Sequence, residues 1–270
     1  MQCCSAPIAK WFDYARTGDI DQINDNIELG KNRVDQRKPV PDEVFPGFCA
    51  IHYAAMFGHH QVVQLLLPDE AGQLTKQTQK IKAPGISNYA MFNLAVGSNC
   101  LMIALLADQR QVIRVILDYI QENPSVFTKI SLENEFRFTN FSTACCCRFA
   151  EAYEILRNQI FQQEMYLVLD GDLTPVMLAC TYLNIEFLNV CQSLLQTEDF
   201  KQSIQSFFEL SSSGKNVLEI CQGQNIEKLG VSEQEQQEFI SKLKQLIKIM
   251  AKQAQTSDFL KDKKLEEWVE

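Results

Sequence analysis

No apolar run in this 270-residue chain approaches the length of a membrane span, and its first residues, MQCCSAPIAKWF, lack the long apolar segment of a secretory signal. The expected compartment is cytoplasmic. A basic surplus is missing too: the net charge is -9, whereas binding a phosphate backbone needs a basic face, so nucleic acid is excluded as an expected partner. Histidine is scarce, and His52, His59 and His60 crowd one short stretch, where they need no metal. Phosphate-loop spacing is absent as well: SSSGKN around Gly214 and Lys215 lacks the preceding glycine, and Asn216 stands where Ser or Thr would bind magnesium. No cofactor and no metal are expected. Cysteine, by contrast, is plentiful, and ten thiols in a cytosolic chain should stay reduced. Cys3 and Cys4 are candidates for S-acylation, although no glycine follows Met1 and no basic cluster adjoins them, so a membrane-held adaptor stays open as an alternative.

With 46% hydrophobic residues the chain can bury a substantial core, as one elongated domain or two compact ones. The stretch from Gly47 to Leu67, GFCAIHYAAMFGHHQVVQLLL, reads as a helix, a tight turn and a second helix. Small Ala54 and Ala55 let neighbouring helices approach, Gly58 permits a left-handed turn, and Val62, Val63, Leu65, Leu66 and Leu67 supply the buried stripe of the second helix. It resembles an ankyrin repeat. The family's G-x-T-P-L-H-x-A-A-x-x-G-H-x-x-V-V-x-L-L-L pattern matches Gly47, Ile51, His52, Ala54, Ala55, Gly58 and His59, with Cys49 and Ala50 in the Thr and Pro slots. One unit of this kind cannot bury its own apolar face, so about three or more must stack.

The same pattern recurs along the chain. A first unit within WFDYARTGDIDQI carries Ala15 and Gly18, with Ile20 and Ile23 beginning its second helix. A third, GSNCLMIALLADQRQVIRVIL, keeps Gly97, Leu101, Ala104, Val112, Ile113, Val115, Ile116 and Leu117 and puts Asp108 in the turn-glycine slot. A degenerate fourth keeps Thr139, Phe141, Ala144, Ile155 and Leu156 but has Arg148 at the turn; a fifth restores Thr174 and Pro175 and keeps Val176, Ala179, Cys180, Phe187 and Leu188. GKNVLEICQGQ, with Gly214, Leu218 and Cys221, reads as a half-repeat or cap. Steps of roughly 35 to 50 residues exceed the usual spacing of about 33, so the excess must lie in insertions. Residues 68–93 and 121–138, which contain Pro68, Gly72, Pro84, Gly85 and Pro124, are expected to form fingers or loops along one edge.

The expected architecture is therefore all-α: an ankyrin-repeat solenoid over residues 1–230, a C-terminal capping helix over 231–256 and a charged tail over 257–270. Ser232 and Glu235 form a capping box ahead of a helix whose Phe239, Leu243, Leu246, Ile247 and Met250 share one face. The tail offers Leu265, Trp268 and Val269 as isolated apolar contacts.

MYLVLDGDLTP contains an Asp170-x-Asp172-x-Thr174 pattern that looks like the nucleophile motif of haloacid-dehalogenase-type phosphatases, the enzymatic alternative. Against it, Asp170 to Pro175 also reads as the polar turn opening the fifth unit, no downstream paired Asp has metal-ligand spacing, and the flanks read as helix pairs. Adjacent Cys145, Cys146 and Cys147 point in different directions on a helix, and Cys145, Cys180 and Cys221 occupy slots that want Ala, so they are expected to pack as small hydrophobes. The expected function is non-catalytic protein binding.

The resemblance implies a concave binding surface. The positions it supplies are Phe45, Phe48, Met56 and Phe57 in the second unit, Leu106 in the third, Phe136, Phe138 and Cys146 in the fourth, and Leu173 and Tyr182 in the fifth. Their apolar character points to a groove for an extended or helical peptide from another protein; the alternative is that the insertions fold over this face and make the aromatics core.

Overall fold

Four helix-to-helix turns in the computed structural model close with the same main-chain hydrogen bond. The N–H of Asp19 reaches the carbonyl of Tyr14 at 3.0 Å, His59 that of Ala54 at 2.9 Å, Gln109 that of Ala104 at 2.9 Å and Asn184 that of Ala179 at 2.8 Å. The residue before each donor lies in the left-handed region: Gly18 at φ +77°, Gly58 at +83°, Asp108 at +54° and Leu183 at +52°. A helix that stops this way satisfies its last carbonyls and frees the chain to start the next helix at once. Asp108 thus does occupy the turn slot read for it. The structure describes residues 6–87, 90–171, 173–195 and 214–254, so Cys3, Cys4, Asp172 and the tail from residue 257 lie outside the described residues. The chain divides into two compact units, Met1–Thr143 and Ala144–Glu270.

In the first unit, α1 (Ala6–Thr17) turns into α2 (Ile20–Asp25) and α3 (Ile27–Gly30), α4 (Ala50–Phe57) into α5 (His60–Glu70), and α6 (Cys100–Leu106) into α7 (Arg110–Glu122). α4 packs between α1 and α6, while α5 packs on α7. Trp11, Phe12, Tyr53, Ile103 and Ile116 are among the fully buried side chains between these layers. Burial of large side chains is worth about 1.5–3 kcal/mol each, and it is this apolar seam that holds short helices together. The first insertion departs from an all-α fold. It forms an antiparallel hairpin, β1 (Gln79–Lys82) with β2 (Met91–Leu94), in which Ile81 pairs with Phe92. α5 also runs on through Pro68 to Glu70: the proline falls in the last turn, where its missing N–H leaves the Gln64 carbonyl without its intrahelical bond shortly before the helix ends. The second insertion is compact, holding the end of α7 and the short α8 (Phe127–Ile130). α9 (Asn140–Cys145) spans the division between the units.

The second unit contains α10 (Ala150–Arg157), α11 (Gln159–Gln162), α12 (Pro175–Thr181), α13 (Ile185–Leu194), α14 (Val217–Gln222), α15 (Ile226–Leu229) and α16 (Glu233–Ala254). α10 packs on α13, α12 on α14, and α16 on both α13 and α14. The reciprocal bonds of Ser232 and Glu235 start α16: the Ser232 N–H donates to the Glu235 carboxylate at 2.8 Å and the Glu235 N–H to the Ser232 hydroxyl at 3.2 Å. Phe239, Leu243, Leu246, Ile247 and Met250 are buried, as the periodicity requires. The chain is mostly helical, with the hairpin its only two-stranded sheet among the described residues.

Candidate functional site

Four of the described helices that start a pair open on a side chain that caps their own third amide. Asn99 accepts from the Met102 N–H at 2.9 Å, Thr139 from Ser142 at 3.2 Å, Thr174 from Met177 at 3.3 Å and Asn216 from Glu219 at 3.0 Å. Cys49 takes this place in α4, and His52 compensates from the other side: its Nδ1 accepts from the Cys49 N–H and its Nε2 donates to the Gln73 carbonyl, both at 3.0 Å. The ring is fully buried and neutral, and burial lowers its pKa to about 4.

The second helices open on a residue with a different task. His59 Nε2 meets the carbonyl of Arg16 at 2.8 Å, Gln109 Nε2 donates to Met56 at 3.2 Å, and Asn184 Nδ2 donates to Ala144, Cys145 and Cys147 at 3.2, 3.1 and 2.7 Å. Each clasps the C-terminal carbonyls of the first helix in the preceding pair. Phe149, at the corresponding place before α10, has no side-chain donor. The clasps also explain the glycines: a Cβ at Gly18 would lie 2.4 Å from the His59 ring, and one at Gly58 2.3 Å from the Gln109 amide oxygen. These clasps were not legible beforehand, because His, Gln and Asn share a donor and nothing else.

The finger turns are tied to one another by main chain. Asp35 N–H donates to Phe48 and Gly47 N–H to Asp35; Lys76 N–H then reaches Gly47, Thr75 and Gly97 tie to Ser98 and Thr75, and Glu135 N–H reaches Val96, all at 2.8–2.9 Å. Beneath them Asp35 is fully buried and accepts from the Tyr53 hydroxyl at 2.7 Å and from Arg37 Nη2 at 2.8 Å, while Arg37 Nη1 bonds Asp13 at 2.8 Å. Glu70, also buried, accepts from the N–H groups of Asn32 at 2.7 Å and Ile51 at 2.9 Å. Burial pushes its pKa up to about 7 against the pull of those donors.

Between these fingers and the helix ends lies a cavity of about 260 Å3. Asp42 and Phe45 of the first finger, Met56 and Phe57 at the end of α4, Ile81, Lys82 and Pro84 of the hairpin, and Ala107 and Gln109 of the α6–α7 turn form its walls. Phe45 stacks on Phe48 with ring centroids 5.2 Å apart and approaches Phe57 at 6.4 Å, so the apolar wall is continuous with the core. Lys82 Nζ bonds Asp42 at 2.7 Å on the rim, with both side chains largely exposed.

The positions implied by the resemblance therefore separate. Met56 and Phe57 are half-buried and line the cavity, with Phe45 nearly buried behind them. Phe48 is fully buried, edge-on to His52 and Tyr53 at 5.5 Å, and belongs to the core. Leu106 is also core: the hairpin folds back so that the Gly85 N–H donates to the Leu106 carbonyl at 2.9 Å, and Gly85 sits so close that a Cβ there would lie 1.9 Å from the Leu105 oxygen. Phe138 meets Phe92 of β2 edge-on at 5.8 Å, with Phe136 exposed nearby in sequence. Leu173 and Tyr182 are half-buried in the second unit, and Cys146 there is buried.

Asp170 is exposed in a turn closed by the Leu169 N–H on the Leu173 carbonyl at 2.8 Å, ahead of the Thr174-capped α12. The eight described thiols, Cys49, Cys100, Cys145, Cys146, Cys147, Cys180, Cys191 and Cys221, are all buried and unbridged. Burial pushes Cys100 up to about 12 and Cys145, Cys146, Cys180 and Cys191 well above the ordinary thiol range, which removes their nucleophilic form at neutral pH. Among the described residues no cluster of three or more His, Cys, Asp or Glu is placed to hold a metal, and no helix is long and apolar enough to cross a membrane.

Comparison with known proteins agrees with the helix pair around Gly58. No curated protein sequence matches the chain. Among solved structures, the Bd0816 predatory endopeptidase from Bdellovibrio bacteriovorus in complex with immunity protein Bd3460 superposes with a TM-score of 0.46 at 13% identity, covering 86% of this chain and 96% of that one. The family profile described as ankyrin repeat matches residues 47–76, which contain α4, its left-handed turn, α5 and the bonded start of the next finger. Ankyrin repeats are typically non-catalytic units of protein interaction, and residues 47–76 of this chain match one.

Proposed function

We propose that the chain is a non-catalytic interaction module that holds a partner protein by an apolar side chain seated in the cavity beside Met56 and Phe57. The observation that carries this reading is the makeup of that cavity. Two successive helix pairs, the finger ahead of the first and the hairpin between them contribute to it, and its lining is mostly apolar while Asp42 and Lys82 charge its rim. At about 260 Å3 it falls below the roughly 300–1,000 Å3 of sites that enclose a small molecule, and suits one anchor residue of a larger ligand. Phe136 and Phe138 on the next finger extend the apolar surface beyond it. The repeats are read as running over residues 1–230, with α16 as their cap.

Affinity capture from the source cells, followed by mass spectrometry, tests this with a Met56→Asp variant. Met56 is half-buried at a helix end, so the variant is expected to keep its helical circular dichroism while losing the proteins that wild type captures. A folded variant that keeps the same proteins moves binding away from the cavity.

A further inference from the structure

The chain is acidic overall, yet residues 71–107 contain Lys76, Lys80 and Lys82 and no aspartate or glutamate. That stretch includes the hairpin forming one wall of the cavity. Alternation along β1 sets Lys80 and Lys82 on one face and Ile81 on the other, and Ile81 is buried while both lysines are exposed. Among the described residues neither Lys76 nor Lys80 has an ion-pair partner. Lys82 has Asp42, the one carboxylate lining the cavity, in a pair exposed at 70% and 65%. Such a pair is weakly held and open to exchange.

The main chain of β1 is available as well. The Ala83 N–H donates to the Ala90 carbonyl at 2.9 Å, so hydrogen-bonded pairs fall at Ile81 with Phe92 and Gln79 with Leu94. The N–H and C=O groups of Lys80 and Lys82 consequently point away from β2, and among the described residues no other main-chain group bonds them. An unpaired edge, a lysine at every second position and an adjoining apolar cavity each suit a different part of one ligand.

We infer that the occupant is an extended acidic segment of a partner protein: it adds as a strand along β1, sets one apolar side chain in the cavity and places carboxylates against Lys80 and Lys82. This rests on the cavity being the binding site. The charge pairing raises the association rate and is screened by salt.

The probes are short synthetic peptides with one central phenylalanine among glutamates and aspartates, a counterpart with lysines in place of the acids, and two acidic versions methylated on alternate main-chain nitrogens, one in each register. Fluorescence anisotropy should show the acidic peptide binding at least about tenfold more tightly than the basic one, with affinity falling as salt rises. Lys80→Glu with Lys82→Glu, both at exposed positions, should cost about tenfold and flatten the salt dependence, and one register of methylation should abolish binding. Equal binding of acidic and basic peptides, or an unchanged affinity in the double variant, overturns the acidic ligand. Undiminished binding of both methylated registers overturns strand addition. If Met56→Asp loses its cellular partners while the acidic peptide fails to bind wild type, the cavity stands and this ligand class falls; if Met56→Asp keeps them, the cavity itself falls.

Discussion

The two units solve the same packing problem with different materials. In the first, neighbouring helix pairs are joined by polar side chains of long reach, His59 and Gln109, and by a ladder of finger turns over the buried Asp35. In the second, six of the eight described thiols fill the interior, and one buried amide, Asn184, serves three carbonyls. A network of hydrogen bonds fixes geometry but leaves costly orphans when a member is lost; small soft side chains tolerate change but specify less. The cavity lies in the polar, closely specified unit.

The largest expected effect breaks the first unit at its centre. Asp35→Ala takes the buried carboxylate away from Arg37, which keeps only Asp13, and from the Tyr53 hydroxyl, which keeps only the Phe45 main chain, and thermal or denaturant unfolding should show a loss of about 3 kcal/mol. Next, Asn184→Ala should cost about 2–3 kcal/mol, because the carbonyls it leaves are buried, whereas Gln109→Ala, with one partly exposed bond, should cost only about 1 kcal/mol. Equal losses would show that the clasps are interchangeable and erase the contrast between the units.

The turn residues sharpen the comparison at smaller scale. Gly58→Ala forces a Cβ into the left-handed region and against Gln109, for an expected loss of about 2 kcal/mol, part of which should return when Gln109→Ala is added. Asp108→Gly relieves a side chain from the left-handed region but gives up the exposed Arg110 Nε bond to its carboxylate at 3.0 Å, and should stabilise by at most about 1 kcal/mol. The smallest effect is a slope. Glu70, with its folded pKa raised from 4.5 to about 7, contributes stability that is complete below about 4.5 and lost as pH rises through about 7. His52, lowered from 6.5 to about 4, contributes stability present above about 6.5 and lost as pH falls through about 4. Between these limits the two oppose each other, so Glu70→Gln should make the melting temperature fall more steeply with acidification than in wild type. Parallel melting curves across that range would show that Glu70 does not titrate there.

Gly18, Gly58, Asp108, Thr174 and Pro175 mark helix boundaries by their own backbone preferences, which is why the paired helices and the capping box of α16 could be read from residue order. The hairpin could not: QKIK and MFNL are four residues each, and only their pairing makes the alternation visible. For Phe48 and Leu106 residue order left groove and core both open, because one repeat pattern serves either; the fold packs Phe48 edge-on to Tyr53 and His52 and brings Gly85 of the hairpin to the Leu106 carbonyl. Met56 and Phe57 stay half-open, facing Ile81, Lys82 and Pro84 of the hairpin across the cavity.

The left-handed turn and the fingers sit at opposite ends of each helix pair, and this separates heredity from invention. A turn closed within six residues, as at Gly18, Gly58, Asp108 and Leu183, leaves no slack for insertion, so it fixes the register of the helices it joins. A finger tied at its base, as Lys76 and Thr75 tie the hairpin, and again where Gly85 meets Leu106, accepts new side chains between those ties without disturbing that register. Exchanging its exposed side chains, Lys80 and Lys82 among them, should therefore leave the fold alone, which makes this hairpin the natural place to write a different specificity into the proposed site.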